Sequence, residues 1–163
     1  MSYSAVIDLG TNTFHLLIVE KVAAAIPFRE VYREKRFVKL AADGIETIGA
    51  APFQRALQTM IDYHKILREH TVEALEVYGT AALRTATNGE ELVRQIADQT
   101  GIQIQIIDGA TEARLIQRGV ALTLPDSVTD RYLIMDIGGG SVEFIIGDRQ
   151  AVLWAESFLI GAA

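Results

Sequence analysis

Two glycine-bearing stretches, written on one plan and set a domain's length apart, limit what this chain can fold into more than any other feature. "DLGTNTFHLLIV" runs from Asp8 to Val19, and "DIGGGSVEFIIG" runs from Asp136 to Gly147. At an offset of 128 residues Asp8 falls on Asp136, Gly10 on Gly138 and Thr13 on Ser141. Leu16, Leu17 and Ile18 then fall on Phe144, Ile145 and Ile146. In each stretch an aspartate ends an apolar strand, glycine and hydroxyl residues make a turn, and a second apolar strand leaves. The offset is too long for a solenoid repeat and fits two copies of one larger unit.

Such turns suit phosphate. Glycines let backbone N–H groups point into one concavity with no Cβ in the way, and a hydroxyl adds a donor. The candidate phosphate-binding residues are Gly10, Thr11, Asn12 and Thr13 in the first turn, and Gly138, Gly139, Gly140 and Ser141 in the second. Asp8 and Asp136 suit a hydrated Mg²⁺, which takes few carboxylates and keeps several waters. Glu143 stands two residues after Ser141 and reads either as an aid to metal or water, or as a solvated strand charge. The plain alternative to the whole pattern is a pair of ordinary hairpins with Asp in each turn.

The rest of the chain reads as a continuous α/β pattern. "AVIDLG", "FHLLIVEKV" and "FREVYREKRFVKL" are strands joined by short connections. After a loop with Gly44 and Gly49, Pro52 fits the first turn of a helix, and Phe53, Leu57, Met60, Ile61, His64 and Leu67 share one of its faces. "ALEVYG" is a strand, "NGEELVRQIADQT" a helix with Asn88 as N-cap and Gly101 just past its end, "IQIQII" a strand and "ATEARLIQRGVAL" a helix. "DSVTD" is a polar break, after which "RYLIMDI", "VEFIIG" and "AVLWAES" restart the three-strand pattern. Short turns favour antiparallel pairing and helical crossovers favour parallel pairing, so a mixed sheet with helices against it is expected. The expected units are 1–125, complete with covering helices, and 126–163, the opening three strands of a second copy.

Composition narrows the class. The chain has 163 residues, half of them apolar, and no cysteine, which excludes disulfides and thiolate metal sites. A net charge of −6 argues against a broad nucleic-acid surface but allows a small phosphate pocket. The opening "MSYSAVIDLG" lacks a basic leader and a long apolar segment, and no apolar run is long enough to cross a bilayer, so a cytoplasmic protein without DNA or membrane partners is expected. His15 and His64 have no second ligand at the spacing that zinc needs.

The two glycine stretches resemble the phosphate motifs of the actin-like ATPase superfamily, whose fold is ribonuclease H-like. Between them, "GTAALRTATNGEELV" and "IIDGATEARLIQRGV" resemble stretches of one branch, the exopolyphosphatase and guanosine-pentaphosphate phosphohydrolase family. The resemblance implies Mg²⁺-dependent hydrolysis of a terminal phosphoanhydride in inorganic polyphosphate or guanosine pentaphosphate. It maps the catalytic glutamate of the family's "EAR" stretch onto Glu112 and the arginine of its "ALR" stretch onto Arg84, with Thr80 a weaker phosphate contact. Thr111 and Asp108 depart from the family pattern, where an acidic residue and a serine are usual, and both alter the charge around Glu112. The resemblance also implies a homodimer at full length, and a longer second domain than 126–163 supplies. The 163-residue chain is therefore expected to turn over weakly by itself. A small-molecule kinase of the same superfamily, or a non-catalytic sensor of guanosine tetraphosphate or polyphosphate, would share the glycine motifs; the "EAR" and "ALR" stretches favour the hydrolase.

Overall fold

A computed structural model of the protein describes residues 2–22, 28–128 and 130–162. The polar break at 126–130 thus lies partly outside the described residues, at Thr129. Strand β1 (Tyr3–Leu9) pairs antiparallel with β2 (Thr13–Lys21), and β2 with β3 (Phe28–Phe37). On its other side β1 pairs parallel with β4 (Ala74–Gly79), and β4 with β5 (Gln105–Ile106). The sheet order is β3-β2-β1-β4-β5, mixed as the connections predict.

Strand alternation decides which face of this sheet is dry. Ile7 and Leu9 on β1 and Phe14, Leu16 and Ile18 on β2 are fully buried on one face. Helices α1 (Ala50–Glu69) and α3 (Gly89–Thr100) complete the core there with Phe53, Leu57, Met60, Leu67, Leu92 and Ile96; Ile61 and His64 are half-buried at its margin. The Tyr63 hydroxyl, inside the core, donates to the Phe14 carbonyl at 3.1 Å. The intervening residues of β1 and β2, Asp8 and His15 among them, point to the opposite face.

Four details differ from the sequence reading. A short helix, α2 (Ala81–Thr85), stands where a polar turn is expected; it buries Ala81, Ala82 and Leu83. β5 is shorter than 102–107 because the Ile102 N–H goes to the Thr100 hydroxyl at 3.1 Å, not into the ladder, and its side chain joins the core. Asn88 occupies the N-cap of α3, but its side chain does not cap the helix. It accepts from the Ile48 N–H and donates to the Ile48 carbonyl, both at 2.9 Å, and so ties the preceding loop to α3. Gly101 ends that helix in the left-handed region, φ 74°, where a Cβ is strained.

The fourth difference moves an element. Helix α4 (Gly109–Ala121), capped by Asp108 accepting from the Thr111 N–H at 2.7 Å, packs chiefly against a second sheet, while its Leu115 and Ile116 share a hollow with Val6 and Tyr78 on the open face of the first. That sheet is the antiparallel β6 (Tyr132–Ile137), β7 (Val142–Gly147) and β8 (Val152–Phe158). Gln117 of α4 donates to the Asp148 carbonyl at 2.8 Å and to the Tyr132 hydroxyl at 3.0 Å, and Ile145 is fully buried. On the opposite face Leu133, Ile146 and Trp154 form one exposed row, with Met135, Ile137 and Phe158 exposed beside it. Among the described residues no helix is long and apolar enough to cross a membrane.

Removing the Asn88 amide breaks two hydrogen bonds to one backbone residue. Asn88→Ala should lower unfolding stability by about 1–3 kcal/mol, measured by urea denaturation. An unchanged midpoint would show that the loop–helix tie carries no stability.

Candidate active site

The two glycine turns are built alike. In the first, the Gly10 N–H bonds the Thr13 carbonyl at 3.0 Å; in the second, the Gly138 N–H bonds the Ser141 carbonyl at 2.9 Å. A Cβ on either glycine would lie 2.9 Å from that same carbonyl oxygen. The strands resume at the pairs Leu9↔Phe14 and Ile137↔Val142. One pair further back, Asp8 faces His15 and Asp136 faces Glu143, so the 128-residue match extends to the cross-strand partners of both aspartates.

The turns also touch each other. A Cβ at Gly139 would meet Asn12 Nδ2 at 2.8 Å, and one at Gly140 would meet Thr11 Oγ1 at 2.6 Å. Thr11 is buried between the turns and its hydroxyl has no hydrogen-bond partner. The chain's last described residues close over the second turn. The Ala162 N–H bonds the Gly138 carbonyl at 3.0 Å, and a Cβ on Gly161 would lie 2.1 Å from the Gly139 carbonyl oxygen.

These contacts frame a cleft of about 410 Å³. Residues of both turns line it, together with Asp8, Asp136, Glu112, Glu143, Thr80, His15 and, at β3, Lys35. Glu112 comes from the first turn of α4, where the helix dipole favours a carboxylate. Arg84 is placed differently from the expectation of a phosphate contact on the cleft wall. It is absent from the lining, and its guanidinium donates to the Ile107 carbonyl at 2.6 Å and to Glu112 Oε2 at 3.3 Å. It stands behind Glu112. Its Glu112 partner leaves it turned toward a second hollow lined by Thr85, Gly109 and Ser157. His64 lies elsewhere, in a hollow with Arg68 and Thr71.

Crowding of carboxylates sets the electrostatics. Burial and the nearby Glu143 raise the Glu112 pKa to about 7, against the opposing pull of Arg84. Burial and Asp136 raise Asp8 to about 6; Asp8 is open to the cleft yet ringed by protein atoms. Burial and Glu143 raise Asp136 as well. Glu143 itself is buried and accepts from the Ser157 hydroxyl at 2.7 Å. A Cβ on Gly109 would meet the Ser157 Cβ at 2.8 Å, so the glycine opening α4 makes room for that serine. Among the described residues no three His, Cys, Asp or Glu side chains converge to grip a metal directly. Asp8, Asp136 and Glu143 line the same cleft and are the carboxylates that could hold a hydrated cation there through its waters.

Sequence reasoning missed Ser157, Gly161 and Lys35. Ser157 and Gly161 lie outside the glycine stretches, and no local pattern marks them. The pairing of Glu143 with Asp136 had a signal, because at the same offset His15 falls on Glu143.

Comparison with known proteins gives a consistent family. The sequence pattern of the Ppx/GppA phosphatase family matches residues 17–163. A Haemophilus influenzae protein bearing the name exopolyphosphatase is 38% identical over 160 residues, covering 96% of this chain and 48% of that protein. A guanosine-5'-triphosphate,3'-diphosphate pyrophosphatase of Photobacterium profundum is 38% identical over 146 residues, 88% of this chain and 29% of that one. The crystal structure of an exopolyphosphatase from Cytophaga hutchinsonii superposes with a TM-score of 0.90 at 41% identity, covering 98% of this chain and 51% of that one. The chain thus spans half or less of the length of these curated relatives. The fold is the α/β, actin-like one; the Aquifex aeolicus Ppx/GppA structure shares it with a TM-score of 0.82 at 24% identity, over 98% of this chain and 52% of its own.

Crowding also dictates a pH dependence of stability. Glu112 and Asp8 have folded pKa values of about 7 and 6 against ordinary values of 4.5 and 3.8. The folded state therefore holds more protons than the unfolded one between each pair of values. The stability these groups contribute is full below the lower value and is lost as pH rises through the upper one. In chelator-treated protein, Glu112→Gln should be more stable than wild type at pH 8, and the gain should vanish by about pH 4.5. Denaturation midpoints across that range test it; a Gln variant less stable at pH 8 would mean that Arg84 outweighs the crowding.

Proposed function

The chain belongs to the Ppx/GppA phosphatase family, and we propose that its cleft hydrolyses the terminal phosphoanhydride of inorganic polyphosphate or guanosine pentaphosphate with Mg²⁺. The observation that carries this reading is a carboxylate with its pKa near neutrality, Glu112, facing two interlocked glycine turns across one cleft. Under this reading the backbone N–H groups of the turns and the hydroxyls of Thr13 and Ser141 bind phosphate oxygens. The buried, unpartnered Thr11 hydroxyl supports it, because a phosphate oxygen or an ordered water would supply the missing partner.

The donor set fits Mg²⁺. Asp8 and Asp136 repel each other across the cleft, and a hydrated cation between them would relieve that repulsion. When bound, the ion would draw charge from the phosphate oxygens. Glu112 takes a proton from the attacking water as the water's oxygen bonds the terminal phosphorus. The bond from that phosphorus to the bridging oxygen breaks, releasing orthophosphate and a chain shorter by one phosphate. Arg84, bound to both Glu112 and the Ile107 carbonyl, orients the base. On the same reading residues 1–125 form the first actin-like domain and 126–163 begin the second. At full length the protein is a cytoplasmic homodimer, and the chain alone is weakly active.

The deciding experiment measures phosphate release by the full-length protein from inorganic polyphosphate, guanosine pentaphosphate and ATP. Release from either of the first two, abolished by chelator and restored by Mg²⁺, is expected. Release from none of them would overturn the reading. Glu112→Gln should keep substrate affinity and lower turnover by roughly 10²-fold or more. Because the base acts deprotonated, wild-type activity should climb as pH rises through the Glu112 pKa, which a bound cation would hold below its cation-free value of about 7.

A further inference from the structure

Strand β3 carries four cations, and three of them are committed. Arg29 pairs with Glu20, Arg33 with Glu30 at 2.6 Å, and Arg36 with Glu34 at 2.7 Å and Asp62 at 2.6 Å. Lys35 has no ion pair among the described residues. Its ammonium lies 5.3 Å from the centre of the exposed Phe37 ring, an apolar neighbour that leaves the charge unneutralised. Lys35 is also the one lysine or arginine lining the cleft among the described residues, whereas four carboxylates line it.

The strand register says how far Lys35 stands from the chemistry. Asp8 pairs with His15, and His15 with Lys35, so the three form one row on the open face of the first sheet. Lys35 is therefore two strand spacings from Asp8, about 10 Å at roughly 4.8 Å each. Lys35 therefore enters the cleft from its β3 side, with its backbone two strands removed from that of Asp8. It is placed for an anionic group further along the same molecule. The four carboxylates of the cleft repel such a tail unless a cation screens them, and the β3 side holds the one lysine that lines the cleft among the described residues.

We propose that Lys35 is the subsite for the non-reacting phosphates of a linear phosphoanhydride chain, and so a determinant of preference for longer chains. This rests on the phosphoanhydride reading above. The chemistry recognised is a run of phosphates, whether free or carried on a nucleoside. Lys35 touches no reacting atom; it holds the chain in line while Glu112 and the glycine turns act at its end.

The test uses the full-length protein, with two readouts. In calorimetry with Mg²⁺ present, Lys35→Ala should weaken binding of tripolyphosphate roughly fivefold and leave orthophosphate within twofold. In turnover, KM for polyphosphate should rise by a similar factor with kcat nearly unchanged, and Lys35→Arg should restore both. Guanosine pentaphosphate run in parallel separates the sources: an equal KM shift assigns the run of phosphates as the feature read. A shift confined to one substrate assigns Lys35 to that source alone. Equal weakening of orthophosphate and tripolyphosphate would show only a general field and overturn the subsite, as would no change at all. Should wild-type protein hydrolyse nothing, the functional reading fails, and the calorimetric comparison still decides Lys35.

Discussion

The contact between the two glycine turns is the constraint on which the rest of the structure depends. Thr11 and Asn12 press into the space that a Cβ on Gly140 or Gly139 would occupy. A side chain at either position would force the turns apart. With the turns touching, the strand ends that carry Asp8 and Asp136 must converge, and the two sheets cannot separate without opening the cleft. The contact also leaves the Thr11 hydroxyl buried without a partner, a cost of about 1–3 kcal/mol for a group of this kind. Gly161 extends the same logic, because its backbone lies against Gly139 where no side chain fits.

Convergence has an electrostatic consequence. Asp8, Asp136, Glu143 and Glu112 share one cleft, and their pairwise repulsions recur in the raised pKa values of Asp8, Asp136 and Glu112. Glu143 is buried and held by Ser157, and after burial it is the next cause that raises both Glu112 and Asp136. A general base needs a pKa near the working pH, and burial beside a like charge supplies it without a dedicated partner. The stability lost to this crowding is the cost of the arrangement at neutral pH.

Much of the fold was legible because it follows from connection lengths. Four-residue turns after Leu9 and Ile137 make antiparallel pairs, and the helical crossovers to β4 and β5 make parallel ones. The paired glycine turns were legible because their residue types and spacing suit a shared turn geometry, whereas Glu112 stood out only through the resemblance of its "EAR" stretch. What was hidden depends on direction, which a period does not encode. The spacing of α4 predicts an apolar face but not that the helix packs on β7 and β8 through Ala113 and Gln117, leaving Leu115 and Ile116 toward the first sheet. "AALRT" is too short for any period to show, so nothing in the sequence marks α2. Asn88 was in the right place for a cap, yet its amide reaches Ile48, 40 positions back in the sequence. The alternating charges of β3 look like a solvated edge until the ion pairs are drawn and Lys35 is left over.

The placement of the cations completes the argument. An arginine aimed directly at the transferring phosphate would add charge neutralisation where the reaction needs it, and the "ALR" stretch suggests that role for Arg84. In the fold Arg84 is half-buried behind Glu112, with its guanidinium already bonded to that carboxylate and to the Ile107 carbonyl. Moving it onto a phosphate would break the bond that fixes the base and remove the one cation that lowers its pKa. The cleft therefore divides the work by distance. On the proposed reading, backbone N–H groups and a cation between the aspartates would serve the reacting end, Arg84 would serve the base, and Lys35, on the β3 side of the cleft, would meet the rest of the anion. On that reading such a site would gain its affinity from chain length and its rate from the geometry at the chain's end, and binding and turnover would answer to different residues.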